Sequence, residues 1–372
     1  MSLRWLAPFI ALAAGIVVLW LAVPWQDLMA WAAAAQRGFQ DSMARALDWL
    51  LDNENSYRGD WSIKNGHLAP GGWAFERANL HYPDIDDTSV ALIVFARLPQ
   101  AIRNQPRVKS AIDRALAWTL GMQCRRGGWA AFDRDNDKLI ITMIPFCDFG
   151  EALDPPSADV TAHVIEALAH LGFDRSHPAV ERAYRFLLAE QEEDGSWFGR
   201  WGVNHIYGTA AVLPALAALG EDASTPHVRA AADWIVRHQN SDGGWGETCA
   251  SYMDDRLRGT GPSTASQTAW ALMSLVAANS ESYVAPVRAG LAWLTEMQRE
   301  DGSWDEPQYT GTGFPGYGFG ARLDFRDAKT RGRIHQGTEL QRGFMINYNL
   351  YRQYFPLMAM GRARRFLSDV KD

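Results

Sequence analysis

The sequence predicts an all-α protein folded as an α/α barrel of repeated helix pairs. Three observations predict it: a motif recurring at fixed spacing, amphipathic helical segments around each copy, and no alternating run of the kind a half-buried strand requires. The copies are RALAWTLGMQCRRGGW (114–129), RAYRFLLAEQEEDGSW (182–197), AADWIVRHQNSDGGW (231–245) and GLAWLTEMQREDGSW (290–304). In each, an aromatic residue (Trp118, Phe186, Trp234, Trp293) stands five residues before a Gln (Gln123, Gln191, Gln239, Gln298), and a Trp (Trp129, Trp197, Trp245, Trp304) six after it. A fifth, degraded copy is read in RALDWLLDNENSYRGDW, ending at Trp61.

Before each Gln, apolar residues recur at spacings of three and four, as an amphipathic helix requires. Asp-Gly-Ser or Asp-Gly-Gly then ends the helix, because glycine accepts a left-handed backbone at little steric cost. The Gln amide can donate to and accept from backbone groups at neighbouring helix ends while the Trp ring packs over it. The motif therefore reads as a structural clip. Further helical stretches lie between the clips, at Thr88–Leu98, Ser157–Leu171, Thr209–Leu219 and Ser263–Ala278. Two helices per repeat, stacked on their neighbours and wrapped in a ring, give the barrel. Long Gly- and Pro-containing loops, such as Thr310–Gly343, are expected at one end, where they could line a mouth.

The N-terminus is of another character. No charge occurs from Trp5 to Val23, and the run would span about 30 Å as a helix. The expected division is an apolar N-terminal helix in residues 1–35, read as a membrane segment, and a barrel in 36–372. A signal peptide, a buried core helix and a misplaced gene start are its rivals.

Composition narrows the function classes. A chain of 372 residues with 47% apolar content fills a sizeable core, while a net charge of -7 with scattered Lys and Arg excludes a nucleic-acid surface. Cys124, Cys147 and Cys249 are too few and too widely spaced for a disulfide framework or a zinc site. There is no Gly-rich phosphate loop and no Asp-Asp-x-x-Asp run for a magnesium diphosphate. DRDNDKLIITMI (133–144) lacks the glycine and closing glutamate of a calcium loop, so neither metal nor cofactor is expected. Sixteen Trp suit core stacking, apolar ligands or the facing of cations.

Asp84, Asp86 and Asp87 precede TSVALIVFARL, where carboxylates cap a helix start and favour the positive end of its dipole. Three within four residues exceed what one cap needs. Full ionisation of such a cluster is costly, so one carboxyl tends to keep its proton.

Beyond the repeat, GGWAFERANLHYPDIDDT, IPFCDFGEALDPPSADVTAH, DGSWFGRWGVNHIYGT, GPSTASQTAWALM and YTGTGFPG resemble squalene-hopene cyclases, from about Arg45 to the C-terminus. The resemblance implies a terpenoid cyclase/prenyltransferase-like toroid and a class II, proton-initiated isomerase. Its expected substrate is squalene or a related polyprene, cyclised in hopanoid biosynthesis at a membrane, with the barrel on the cytoplasmic side. It implies Asp86 as the donor to a terminal alkene, Asp84 and Asp87 as its neighbours, and His163 with Asp159 as a polar pair supporting it. Read without the family, His163 is a satisfied core histidine. Phe75, Phe149, Trp201, Tyr207, Phe314, Phe344, Tyr348 and Tyr351 are the implied cation-stabilising lining, and Phe132 stands where many relatives carry Tyr. The family has two barrels, and this chain resembles only the C-terminal one. A separate chain supplying the second barrel, or a homodimer, is therefore an expected partner, and a remnant without independent activity is the alternative reading. An α/α-barrel carbohydrate enzyme with paired carboxylates is a third.

Overall fold

The computed structural model describes residues 40–76, 78–138, 153–252, 254–312 and 345–369. The apolar run Trp5–Val23, Cys147 and most of the Thr310–Gly343 loop lie outside them. The chain forms two compact units, Met1–Glu54 and Asn55–Asp372. In the first, a helix runs over 40–52. No helix among the described residues is long and apolar enough to cross a membrane.

The second unit alternates inner and outer helices: α1 (Ile85–Arg97), α2 (Pro106–Gly121), α3 (Ala158–His170), α4 (Pro178–Glu190), α5 (His205–Ala218), α6 (Pro226–Arg237), α7 (Ala265–Ala278), α8 (Val284–Met297) and α9 (Tyr351–Asp369). The odd-numbered helices pack on one another in chain order, α1 on α3, α3 on α5, α5 on α7 and α7 on α9. Of the even-numbered ones, α2 and α4 lie against the inner helix that precedes each, and α6 and α8 against the inner helices on both sides in sequence. Burial follows this layering. α5 is buried from His205 through Leu216, whereas α6 buries only a stripe of Val228, Ala231, Ala232, Trp234 and Ile235. Helix starts differ as well. Outer helices α2, α4 and α6 open on proline, which needs no N–H partner at that position, and inner helices α1 and α7 are capped by the side chains of Asp84 and Thr264.

The Gln-Trp clips tie the layers together. Gln239 donates its amide to Gly243 O (2.8 Å) inside its own turn and to Pro286 O (3.0 Å) at the start of the next outer helix. Gln123 does the same with Gly127 and Ala179, and Gln191 with Gly195 and His227. Each clip Trp donates its indole N–H to the carbonyl ten residues earlier, as Trp129 does to Thr119 (2.7 Å) and Trp245 to Ile235 (2.7 Å). In three of them the backbone N–H goes to a threonine hydroxyl on the next inner helix, Trp129 to Thr161 (2.9 Å), Trp197 to Thr209 (3.1 Å) and Trp245 to Thr268 (3.0 Å), while Trp304 donates to Gln353 Oε1 of α9 (3.2 Å).

The fifth copy is corrected by the same bonds. Trp73, not Trp61, donates its N–H to Thr88 Oγ1 (2.9 Å). Asn55 N reaches Gly72 O (2.8 Å) as Cys124 N reaches Gly128 O (3.0 Å). Gly71, two residues before Trp73, approaches the Arg114 carbonyl of α2 so closely that a Cβ would sit 2.9 Å from it; Gly243 stands in the same relation to Ala289 of α8. The first copy therefore carries an insertion between Asn55 and Gly71. Trp61 belongs to that insertion and packs edge-on against Trp118 with centroids 5.8 Å apart.

Two short antiparallel pairs complete the unit: β1 (Trp73–Ala74) with β2 (Pro83–Asp84), and β3 (Gly311–Thr312) with β4 (Met345–Ile346). In the first, Trp73 faces Asp84, which ties the acid run to the clip before it.

Loss of the Gln239 amide strands two carbonyls in a half-buried joint. Gln239→Ala is expected to cost about 1–2 kcal/mol in urea unfolding. Gln298→Ala, at an exposed clip whose amide bonds Gly302, should cost clearly less.

Candidate active site

The first turn of α1 carries the acids. Asp84 is its N-cap, and Asp84 Oδ1 accepts the Asp87 N–H at 2.8 Å. Thr88 Oγ1 returns to Asp84 O at 2.6 Å, and Ile85 N reaches Ala131 O at 2.7 Å in the loop after the Trp129 clip. The run is therefore held from three sides. Burial, and then the charges of Asp87 and Asp86, push Asp84 well above the ordinary carboxyl range. Burial and the charge of Asp86 push Asp87 up to about 6, tempered by a side-chain bond from Asp84 and by the charge of His163.

Asp86 is paired with His163 of α3. Nδ1 of the imidazole lies 2.6 Å from Asp86 Oδ1, with the two side chains 20% and 30% exposed. Burial disfavours the imidazolium, but the charge of Asp86 and the bond to it prevail and push His163 up to about 9. His163 is thus a cation at neutral pH, donating Nδ1–H to Asp86.

Asp159, four residues earlier on α3, reaches His163 only as a nearby charge. Its Oδ2 accepts the backbone N–H groups of Arg200 (3.0 Å) and Trp201 (2.9 Å), and its Oδ1 that of Val160 (3.0 Å). The expected Asp159–His163 pair is therefore corrected: Asp159 anchors the loop that presents Trp201. Asp154 does the same for Phe132, accepting its N–H at 2.6 Å and that of Asp133 at 2.8 Å. The buried Arg200 guanidinium offsets both carboxylates. Phe132 and Trp201, so placed, meet edge to face at 5.9 Å.

Aromatic contacts continue from His163. Its ring meets Tyr207 at 6.4 Å, Tyr207 meets Trp270 at 5.0 Å, and Trp270 meets Tyr351 at 5.9 Å. Tyr351 stacks on Tyr348 at 4.6 Å, and Tyr348 meets Phe75 at 6.1 Å. Burial, then the charges of Asp87, Asp86 and Asp84, push Tyr348 up to about 12. Phe75 and Phe132 are 54% and 37% exposed, open to a ligand or another chain. Phe149, Phe314 and Phe344 lie outside the described residues.

Sequence reading missed three groups here. Trp270 sits two residues beyond the clip-binding Thr268, the offset that separates His163 from Thr161. Tyr354 lies beside Tyr351 at 5.7 Å and feels the charges of Asp87 and Asp86. Arg200 adjoins Trp201, and its partners become visible only in three dimensions. No group of three or more metal-ligating side chains occurs among the described residues.

The architecture recurs in the type II terpene cyclase MstE from Scytonema, whose apo structure superposes with a TM-score of 0.56 over 82% of this chain and 81% of that one; at 21% identity it speaks for the fold alone. The chain belongs to the family of the squalene-hopene cyclase C-terminal domain, whose model matches residues 25–326. It is 47% identical over 339 residues to the squalene-hopene cyclase of Alicyclobacillus acidocaldarius subsp. acidocaldarius, covering 91% of this chain and 49% of that protein. Against the squalene-hopene cyclase of Schizosaccharomyces japonicus it is 46% identical, covering 86% and 44%. Against the dammaradiene synthase of Dryopteris crassirhizoma it is 39% identical, covering 89% and 47%. The chain thus spans about half the length of the curated relatives it matches.

The His163–Asp86 pair makes stability depend on pH with a fixed sign. The folded value of about 9 lies above the ordinary 6.5, so the stabilisation is complete below about 6.5 and is lost as pH rises through about 9. Thermal unfolding of wild type and His163→Gln should show a gap that is widest near pH 6 and closes towards pH 10. A gap independent of pH would contradict the ion pair.

Proposed function

We propose that this barrel is the proton-donating part of a class II terpene cyclase acting on squalene or a related polyprene. The observation that carries the proposal is the 2.6 Å contact of His163 Nδ1 with Asp86 Oδ1, set between two acids whose burial favours their protonated forms. The family and the names of the curated relatives support it.

An alkene is a very weak base, so its proton donor must be strong and shielded from water. With an imidazolium donating to one oxygen of Asp86, negative charge left on that carboxylate after proton transfer is stabilised. Asp86 in its acid form, reloaded with a solvent proton in each cycle, gives the proton on its other oxygen to the hydrogen-bearing carbon of the terminal alkene: the O–H bond breaks, a C–H bond forms from the π pair, and a tertiary cation remains on the carbon that carries the two methyl groups. Successive alkenes attack in turn, each closing a ring and passing the charge on, until a C–H proton is lost and a new double bond ends the sequence. The product is an isomer of the substrate, and no external reductant or oxidant enters. Between these steps the cation needs π faces and no base. Trp270, Tyr207, Tyr351 and Tyr348 offer such faces, with the phenols held protonated by burial and by the neighbouring carboxylates.

Two further parts of the reading concern the setting. The apolar run Trp5–Val23 would attach the barrel to the membrane in which such a substrate dissolves. A second barrel, from a separate chain or a second copy, would cover the exposed Phe75 and Phe132.

The test is gas-chromatographic product analysis with squalene, on the chain alone and mixed with a separately expressed N-terminal barrel from a relative. A polycyclic product is expected in at least one arm, with Asp86→Asn lowering turnover about 10²- to 10⁴-fold. No product from wild type in either arm, on squalene or shorter polyprenes, would overturn the proposal.

A further inference from the structure

Glu166 lies three residues beyond His163 on α3, a spacing that puts two side chains on one helix face. It is 7% exposed and ringed by two arginines and a histidine. Arg97 of α1 approaches at 3.5 Å, Arg362 of α9 at 3.4 Å and His170, one turn further along α3, at 3.5 Å. Arg97 also meets His170 Nε2 at 3.0 Å. The first, second and last inner helices of the barrel therefore converge on one buried carboxylate.

Burial alone would push Glu166 up, but His170, Arg362, His163 and Arg97 together hold it down at about 2. So strong an acid stays ionised through the neutral range and is a poor proton relay; what it supplies is a permanent charge. Around His163 stand Asp86 and Asp87 from α1, Asp159 and Glu166 from α3 itself and the Tyr207 ring from α5, with the cations Arg97 and Arg362 on the far side of Glu166. Asp86 must lose a proton and regain one in each cycle, so its charge is not constant. Glu166, held down at about 2, keeps its charge throughout.

We propose that Glu166 is a positioning residue, a fixed anion pinned by Arg97 and Arg362 three residues along the helix from His163, that adds to Asp86 in holding the imidazole in its cationic form. The inference rests on Asp86 being the proton donor, but its test does not. On this account the two arginines orient Glu166 while opposing its effect, and the closing of the ring between α1, α3 and α9 sets the strength of the acid.

The experiment is an NMR titration of His163 in the full chain with isotope-labelled histidine. Wild type should titrate near 9. Glu166→Gln should lower the midpoint by about one pKa unit, and Glu166→Asp, which keeps the charge, should restore most of it. Arg362→Gln removes an opposing cation and should leave the midpoint in place or raise it. A purely structural tie predicts instead that Glu166→Gln and Arg362→Gln shift it in the same direction, and that result, or an unchanged midpoint in Glu166→Gln, overturns the proposal. If Glu166→Gln does not fold, Arg362→Gln and Arg97→Gln still decide, since a fall in either contradicts it. Because the readout is a titration, a protein inactive on polyprenes would leave this inference standing and remove only the reading of Asp86 as donor.

Discussion

The bond on which the rest of the structure depends runs from the backbone N–H of a tryptophan that ends one helix pair to the threonine hydroxyl in the first turn of the next inner helix. It occurs at Trp73–Thr88, Trp129–Thr161, Trp197–Thr209 and Trp245–Thr268. Because every such threonine sits at the start of an inner helix, the four starts are brought to one end of the barrel. Two residues before the threonine stand Asp86, Asp159, Tyr207 and Ser266; two after it stand Val90, His163, Ala211 and Trp270. The acid, its imidazolium partner, the loop anchor and part of the ring wall are thus successive occupants of the same two repeat positions. A site assembled from such repeats inherits its precision from the scaffold rather than from its own contacts.

The electrostatics of that end follow from burial. Three carboxyls in one helical turn cannot all be ionised out of water, and the structure separates their roles by environment. Asp84 caps the helix and is enclosed, its carboxyl pushed well up by burial; Asp87 is pushed up to about 6; Asp86 alone of the three has a cation at hydrogen-bond distance. Other buried carboxylates near helix starts are neutralised structurally: Glu247 takes the Ile206 N–H at 2.9 Å and Glu306 the Ser266 N–H at 2.9 Å, at the starts of α5 and α7. Glu247 also meets His205 Nδ1 at 3.2 Å, but both of those side chains are fully enclosed, whereas His163 and Asp86 keep 20% and 30% exposure, so reach to a ligand separates the acid site from the cap.

Much of this was legible in the sequence, and the reasons are physical. The helix pairs and clips could be read because a Gln, a Trp and the glycine between them must keep exact spacing to bridge three helices. His163 could be placed beside Asp86 only through resemblance to a family, since nothing local distinguishes it from a core histidine. The first clip was misread as ending at Trp61 because an insertion separates Asn55 from Gly72, and only the bonded partner identifies Trp73 as the true closing residue. The pairing of Asp159 with His163 likewise comes only from the resemblance, and the Asp159 oxygens bond two N–H groups some forty residues away. Glu166 and Arg362 lie 196 residues apart in the chain, and no local pattern links them.

The central claim is that Asp86 delivers a solvent-derived proton to an alkene carbon. The measurement that tests it most directly is the reaction of squalene in deuterated water, followed by mass and NMR analysis of the cyclised product. The account predicts one deuterium, located on the ring methylene carbon next to the gem-dimethyl carbon where cyclisation begins, and its loss together with the product in Asp86→Asn. A cyclised product without deuterium at that carbon, or one formed equally well by Asp86→Asn, would contradict it.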